Sequence, residues 1–250
     1  MKTLSLLLLI TFCTNAASAD ERVYELRVYF ANEGKLDDLH SRFREHTMGL
    51  FKKHGIKNVG YWVPVDNEEN KLVYMLSYPD REARNASWKA FMQDEDWKAA
   101  YKASIKDGRL VSKIDSMMLK PTDYSPDMMI KKNDEPRVFE LRIYNTLDGR
   151  MDALNSRFRD HTSKLFNKHG LPQFGYWTPM DEKNGKDKKL VYMLAHKSRE
   201  DAKTNFAKFG KDPDWQTARK ASVKDGPILI KGKERVSSQF LKPTDYSPTR

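Results

Sequence analysis

Cysteine is the scarcest residue in this chain. There is one in 250 residues, Cys13, and it lies within an N-terminal stretch expected to be removed. What remains has no disulfide, no thiol nucleophile and no thiolate metal site. Metal-ligand spacing is also missing. Six histidines are present, but no pair stands at i, i+4 on one helix beside a third ligand, so no metal is expected. No G-x-S-x-G, P-loop or Rossmann fingerprint occurs, so no cofactor is expected. After Ile10 no apolar run approaches the ~20 residues of a transmembrane segment. Blocks of like charge are absent too. The net charge of +10 is spread among interspersed acids and bases, with no basic stripe carrying interleaved aromatics, so no nucleic-acid partner is expected.

The first nineteen residues have the layout of an export signal. Lys2 gives a positive start, Leu4–Ile10 is an apolar core too short to span a bilayer, and Ala17-Ser18-Ala19 is a small-residue cleavage site. Cleavage is expected after Ala19, which places the mature protein, starting at Asp20, in a periplasm or outside the cell.

The rest of the chain is written twice. Val23–Tyr29 (VYELRVY) returns as Val138–Tyr144 (VFELRIY), and Ser41–Thr47 (SRFREHT) as Ser156–Thr162 (SRFRDHT). Gly60–Trp62 (GYW) returns at Gly175–Trp177, and Leu119–Pro126 (LKPTDYSP) returns unchanged at Leu241–Pro248. The offset is 115 at Trp62 and Trp177 (177 − 62) and 122 at Leu119 and Leu241 (241 − 119), so short insertions separate the copies. A period of this length is a whole domain, not a solenoid repeat. The expected organisation is domain 1 over 20–126, a linker over 127–136 and domain 2 over 137–250.

Within one copy, Arg22–Phe30 alternates as a strand, with Tyr24, Leu26 and Val28 on one face and Val23, Glu25, Arg27 and Tyr29 on the other. Lys35–His54 reads as a helix with Leu36, Leu39, Phe43, His46 and Leu50 on its stripe, and Gly55 takes the left-handed cap. Strands follow over Val59–Val65 and Leu72–Tyr78, then two helices, the second capped by Asp94, then a strand over Ser112–Leu119. The order β-α-β-β-α-β is the ferredoxin-like α+β arrangement. Its sheet needs cover on both faces, and two copies in one chain supply two sheets. The economical solution is one closed intrachain barrel with the helices outside. Met128-Met129-Ile130 in the linker is apolar and is expected to dock on a domain.

The ordered set Tyr24–Tyr29, Arg42–Thr47, Gly60–Trp62, Trp88–Phe91, Asp94–Trp97 and Leu119–Pro126, with its second copy ending at Leu241–Pro248, resembles the NIPSNAP domain. Glu95 departs from the D-P-x-W motif in copy one, and Phe206 replaces the tryptophan in copy two. The resemblance implies the dimeric α+β barrel fold, shared with cofactor-free monooxygenases and EthD-like proteins. It carries over no catalytic residues.

Two constellations are candidate sites. His46 and His161 share one place on the first-helix stripe and are expected to point inward. They are read either as general bases or as core histidines bonded within the fold. Glu25, Arg27 and Tyr29 with Glu140, Arg142 and Tyr144 alternate with the apolar face and are expected to line the barrel. There they form either a convergent ligand site or self-neutralising ion pairs. His54 and His169, at helix C-termini, suit the helix dipole. The function expected from these features is a small-molecule-binding or interaction protein, with a ligand in the barrel or a protein partner. The alternative is a cofactor-independent enzyme acting on a small aromatic or carbonyl compound.

Overall fold

The computed structural model describes residues 22–132, 135 and 137–250. The expected export signal lies outside them. The first half begins with β1 (Val23–Ala31) and a helix, α1, made of Leu36–Arg42, a π turn over Phe43–Thr47 and an α-helical close over Met48–Lys53. Then come β2 (Lys57–Pro64), β3 (Lys71–Tyr78), α2 (Arg81–Gln93), α3 (Glu95–Ser104) and β4 (Val111–Pro121). The second half repeats the order. It runs through β5 (Val138–Asn145), α4 (Met151–Arg157, a π turn over Phe158–Thr162, Ser163–Lys168), β6 (Gln173–Pro179) and β7 (Lys189–His196), then α5 (Arg199–Lys211), α6 (Pro213–Ser222) and β8 (Val236–Pro243).

The eight strands close one antiparallel barrel in the order β1-β3-β2-β8-β5-β7-β6-β4. Each sheet alone would have two open edges. Here β8 pairs with β2 (Trp62↔Pro243) and β4 pairs with β6 (Pro121↔Trp177), so every edge is covered. The repeated LKPTDYSP segment does this work. In the second copy Thr244 N donates to Tyr61 O at 2.9 Å, Ser247 Oγ accepts from Tyr61 N at 3.0 Å, and Asp245 takes a two-pronged bond from Arg44. In the first copy Thr122 N donates to Tyr176 O at 3.0 Å, Ser125 Oγ accepts from Tyr176 N at 3.0 Å, and Asp123 pairs with Arg159. Each half thus grips the tyrosine of the other half's Gly-Tyr-Trp.

The barrel interior is a packed apolar cluster drawn from both halves. Trp62 lies 5.4 Å from Phe139, and Trp177 lies 5.8 Å from Tyr24. Met128 and Ile130 of the linker pack against this cluster, while Met129 is 62 % exposed. The Gly-Tyr-Trp spacing has a steric cause. The indoles of Trp62 and Trp177 fold back over the glycine two residues earlier on the same face, and a Cβ at Gly60 would sit 2.2 Å from Trp62 Cη2. Gly60→Ala therefore forces the ring out of a filled core and should cost about 1–3 kcal/mol, read as a lowered urea midpoint. A midpoint equal to wild type would show that the ring has room to move.

Both expectations about side-chain direction need correction. The stripe with His46 breaks at the π turn. Its extra residue carries the buried row through Leu39, Phe43, Thr47 and Phe51 instead, and His46 faces solvent with its side chain 50 % exposed. His161 is likewise exposed. The hydroxyls of Thr47 and Thr162 stabilise the wide turns, donating five residues back to Arg42 O and Arg157 O at 3.1 Å. β1 is also turned the other way from the expectation. Its interior face is Tyr24, Leu26 and Val28, while Glu25, Arg27 and Tyr29 lie on the outer face, beneath the helices.

Candidate functional site

Because the polar face of β1 points away from the lumen, the two Glu–Arg–Tyr sets do not converge. Each sits under the helices of its own half. Glu25 has no solvent exposure and gathers donors from three directions. Arg27 Nη1 lies 2.5 Å from its Oε1, Arg84 of α2 donates from Nε and Nη2 at 3.0 and 2.7 Å, and Ser116 of β4 donates at 2.7 Å. Tyr78 Oη and Trp88 Nε1 donate to Oε2 at 3.2 and 3.1 Å. Burial pushes this carboxyl's pKa up, but the Arg84 hydrogen bonds and the Arg27 charge outweigh it and hold the group at about 2. Arg27 donates on to Tyr74 Oη at 2.8 Å and to Tyr29 Oη at 3.4 Å, and stacks 4.5 Å over the Trp88 ring.

The second half keeps the pair and changes its surroundings. Arg142 pairs with Glu140 and donates to Tyr192 Oη at 2.8 Å. Where copy one has Tyr78, copy two has His196, fully buried, with Nε2 3.1 Å from Glu140 Oε2 and Nδ1 without a hydrogen-bond partner among the described residues. The Arg84 position is Ala202 and the Trp88 position is Phe206. In both halves the glutamate and the arginine pair with each other, and in the first half Arg84 joins them. His54 and His169 do more than face a helix dipole. Each contacts the aspartate that caps the next helix, at 2.6 Å from Asp94 and Asp212.

Above the first network is a cavity of about 770 Å³ between α1, α2, α3 and the outer faces of β1 and β4. Its walls are aromatic: Phe43, Phe51, Trp88, Phe91, Trp97 and Tyr101. Its mouth carries Met92, Tyr101 and Ile114, three of the six exposed large hydrophobic side chains among the described residues. The lining holds five bases (Arg27, Arg42, Arg84, Arg109 and Lys113) and no aspartate, glutamate or histidine. Of the expected site residues, Arg27 and Tyr29 reach this cavity. Glu25 lies behind them, and His46 and His161 are elsewhere. The sequence reading missed Arg42, visible there only as one letter of the repeated SRFR motif. The barrel lumen, where a ligand was expected, is filled at its centre by Trp62, Trp177, Phe139 and Phe174. A second cavity, of about 710 Å³, opens at one end, beside Leu26, Val28, Met117, Leu141 and Ile143. Among the described residues no His/Cys/Asp/Glu group could hold a metal, and no helix is long and apolar enough to cross a membrane.

Solved structures share this architecture at low identity. A Fusobacterium nucleatum protein provisionally assigned as a monooxygenase superposes with TM-score 0.59 at 12 % identity, covering 90 % of this chain and 93 % of its own. An anthrone oxidase-like protein gives TM-score 0.58 at 13 % identity, covering 91 % and 93 %. A NIPSNAP family protein of Agrobacterium tumefaciens matches at 21 % identity over 43 % of this chain and 99 % of its own, with TM-score 0.39. No curated protein matches the sequence. The NIPSNAP family profile matches residues 24–126 and again 139–248; the chain belongs to the NIPSNAP family, as two tandem domains closed into one barrel.

Proposed function

We propose that this is an exported protein that binds a small molecule in the cavity beneath α1–α3 of its first half. The observation that carries the proposal is the combination of an aromatic-walled cavity of about 770 Å³ with an apolar, exposed mouth. Ligand sites are concave, mostly apolar and furnished with a few convergent polar groups, and this volume suits a drug-sized compound. Export is supported by the N-terminal pattern of Lys2, Leu4–Ile10 and Ala17-Ser18-Ala19.

The alternative, a cofactor-independent oxygenase, draws on the assignment given to the Fusobacterium neighbour, whose 12 % identity reaches only the fold. Such chemistry begins by removing a proton from the substrate, which needs a base within hydrogen-bond reach. The charged groups of the lining are arginines, which stay protonated, and one lysine already paired with Asp115 at 2.9 Å; beside them stand the phenols of Tyr29 and Tyr101, and no carboxylate or imidazole. Binding therefore suits this lining better than proton abstraction does. Native mass spectrometry of the mature protein, purified from its own source, tests the proposal. The expected result is a species starting at Asp20 with a discrete extra mass lost on denaturation. A bare chain, together with no small molecule recovered from the denatured protein, would count against it.

A further inference from the structure

Among the described residues, Arg42 is the buried cation of the cavity wall that has no carboxylate beside it. It is 6 % exposed. Its Nη1 reaches Ser104 Oγ at 3.2 Å, its Nε has no partner among the described residues, and its charged and hydrogen-bonding neighbours include no carboxylate. Trp97 and Tyr101 lie against its guanidinium, with ring centroids at 5.4 and 5.6 Å. An arginine cannot shed its proton to escape this burial, so the charge stays and calls for a counterion. Of the other cavity bases, Arg109 is exposed to solvent and the rest touch a carboxylate. Arg27 and Arg84 share Glu25, and Lys113 holds Asp115.

Aromatic rings lie against the guanidinium, its Nε makes no hydrogen bond among the described residues, and edge-on pairing is the geometry in which a guanidinium grips a carboxylate. The walls beyond it are flat rings suited to a planar body. We infer that the cavity takes an organic carboxylate with a planar apolar body, its carboxylate paired with the Arg42 guanidinium and its body against Trp97 and Phe91. The inference rests on the binding role proposed for this cavity. Arg109 and Lys113, both exposed at the mouth, favour entry of an anion.

The second half supplies an internal control. Arg157 occupies the equivalent place, also with an Nε that has no partner among the described residues and 5.6 Å from Trp215, but Arg219 stands where copy one has Tyr101. If the buried arginine only props the helices on the sheet, Arg42 and Arg157 should behave alike.

Titration calorimetry on the full mature chain with 2-naphthoate, its neutral carboxamide and decanoate separates the cases. Wild type should bind naphthoate at least about tenfold more tightly than the carboxamide, a difference of ~1.4 kcal/mol. Arg42→Met should bring naphthoate down to the carboxamide's level and leave the carboxamide unchanged, while Arg157→Met keeps the preference. Arg42→Lys retains charge without the fork and should recover only part of it. Acid and amide binding equally to wild type would overturn the carboxylate and leave the cavity's binding role standing. Decanoate binding better than naphthoate would overturn the planar body. Loss of the preference in Arg157→Met but not in Arg42→Met would overturn the assignment to the first half. Failure of all three compounds to bind would overturn the planar carboxylate, and a discrete ligand mass in native mass spectrometry would still leave the binding role standing. The wild-type comparison decides the main point even if Arg42→Met does not fold.

Discussion

Replacing Glu25 by glutamine should lower the stability of the protein by about 3–5 kcal/mol at neutral pH, the usual cost of removing one partner from a buried ion pair. The substitution keeps size and shape and removes only the charge. Arg27 and Arg84 would then face each other with no carboxylate between them, and Tyr78, Trp88 and Ser116 would lose the charged acceptor toward which they all point. The pKa leads to the same magnitude. Glu25 stands at about 2 in the fold against an ordinary 4.5, a difference that converts to roughly 3 kcal/mol. The folded value is depressed, so the stabilisation is complete above pH 4.5 and fades as the pH falls through 4.5 toward 2. Urea unfolding of wild type and Glu25→Gln at pH 7 and again near pH 3 checks both parts. The gap should be wide at pH 7 and visibly narrower near pH 3. A gap below about 1 kcal/mol at pH 7 would mean that the network relaxes around the loss.

The same network shows where the sequence was informative and where it was not. Alternation along Val23–Tyr29 separated the two faces of β1 correctly, because a strand has a period of two. It could not say which face looks into the barrel, since both are buried, one by the other half's strands and one by the helices. The deciding contacts are long-range, from Arg84 and Trp88 of α2 to Glu25, about sixty residues away. His46 was misplaced for a different reason. The stripe was laid out at 3.6 residues per turn, and the π turn at Phe43–Thr47 inserts one residue more. Leu39, Phe43, Thr47 and Phe51 at uniform steps of four were the available sign, since such a row drifts around a regular α-helix and stays on one side only if the helix is locally wide. The barrel itself was legible in the duplication. Eight unchanged residues at the end of each copy mark a segment whose partner is also duplicated.

That duplication implies that residues 20–126 expressed alone should form a stable homodimer. Cutting the chain there leaves β2 without β8 and β4 without β6, and uncovers Tyr24, Leu26, Trp62, Val73 and Met75 on the lumen face. Two open edges on an apolar sheet are a template for pairing. The first half also carries both sides of its own clasp. Its Thr122, Asp123 and Ser125 now hold Tyr176 and Arg159, and the equivalents Tyr61 and Arg44 exist on the same half, where they bind the second copy's arm. At Tyr124, whose hydroxyl donates to Asn155 at 2.9 Å, the dimer would offer His40, which already meets the equivalent Tyr246 at 2.7 Å. Two copies of the half can therefore close a two-fold barrel in which each surface meets its counterpart. Because the lumen core forms only on association, unfolding of the isolated half should depend on protein concentration. Sedimentation and thermal unfolding across a hundredfold concentration range read this directly. A folded monomer whose midpoint ignores concentration would mean that one sheet can cover its own face, and that the second domain is retained for something other than closing the barrel.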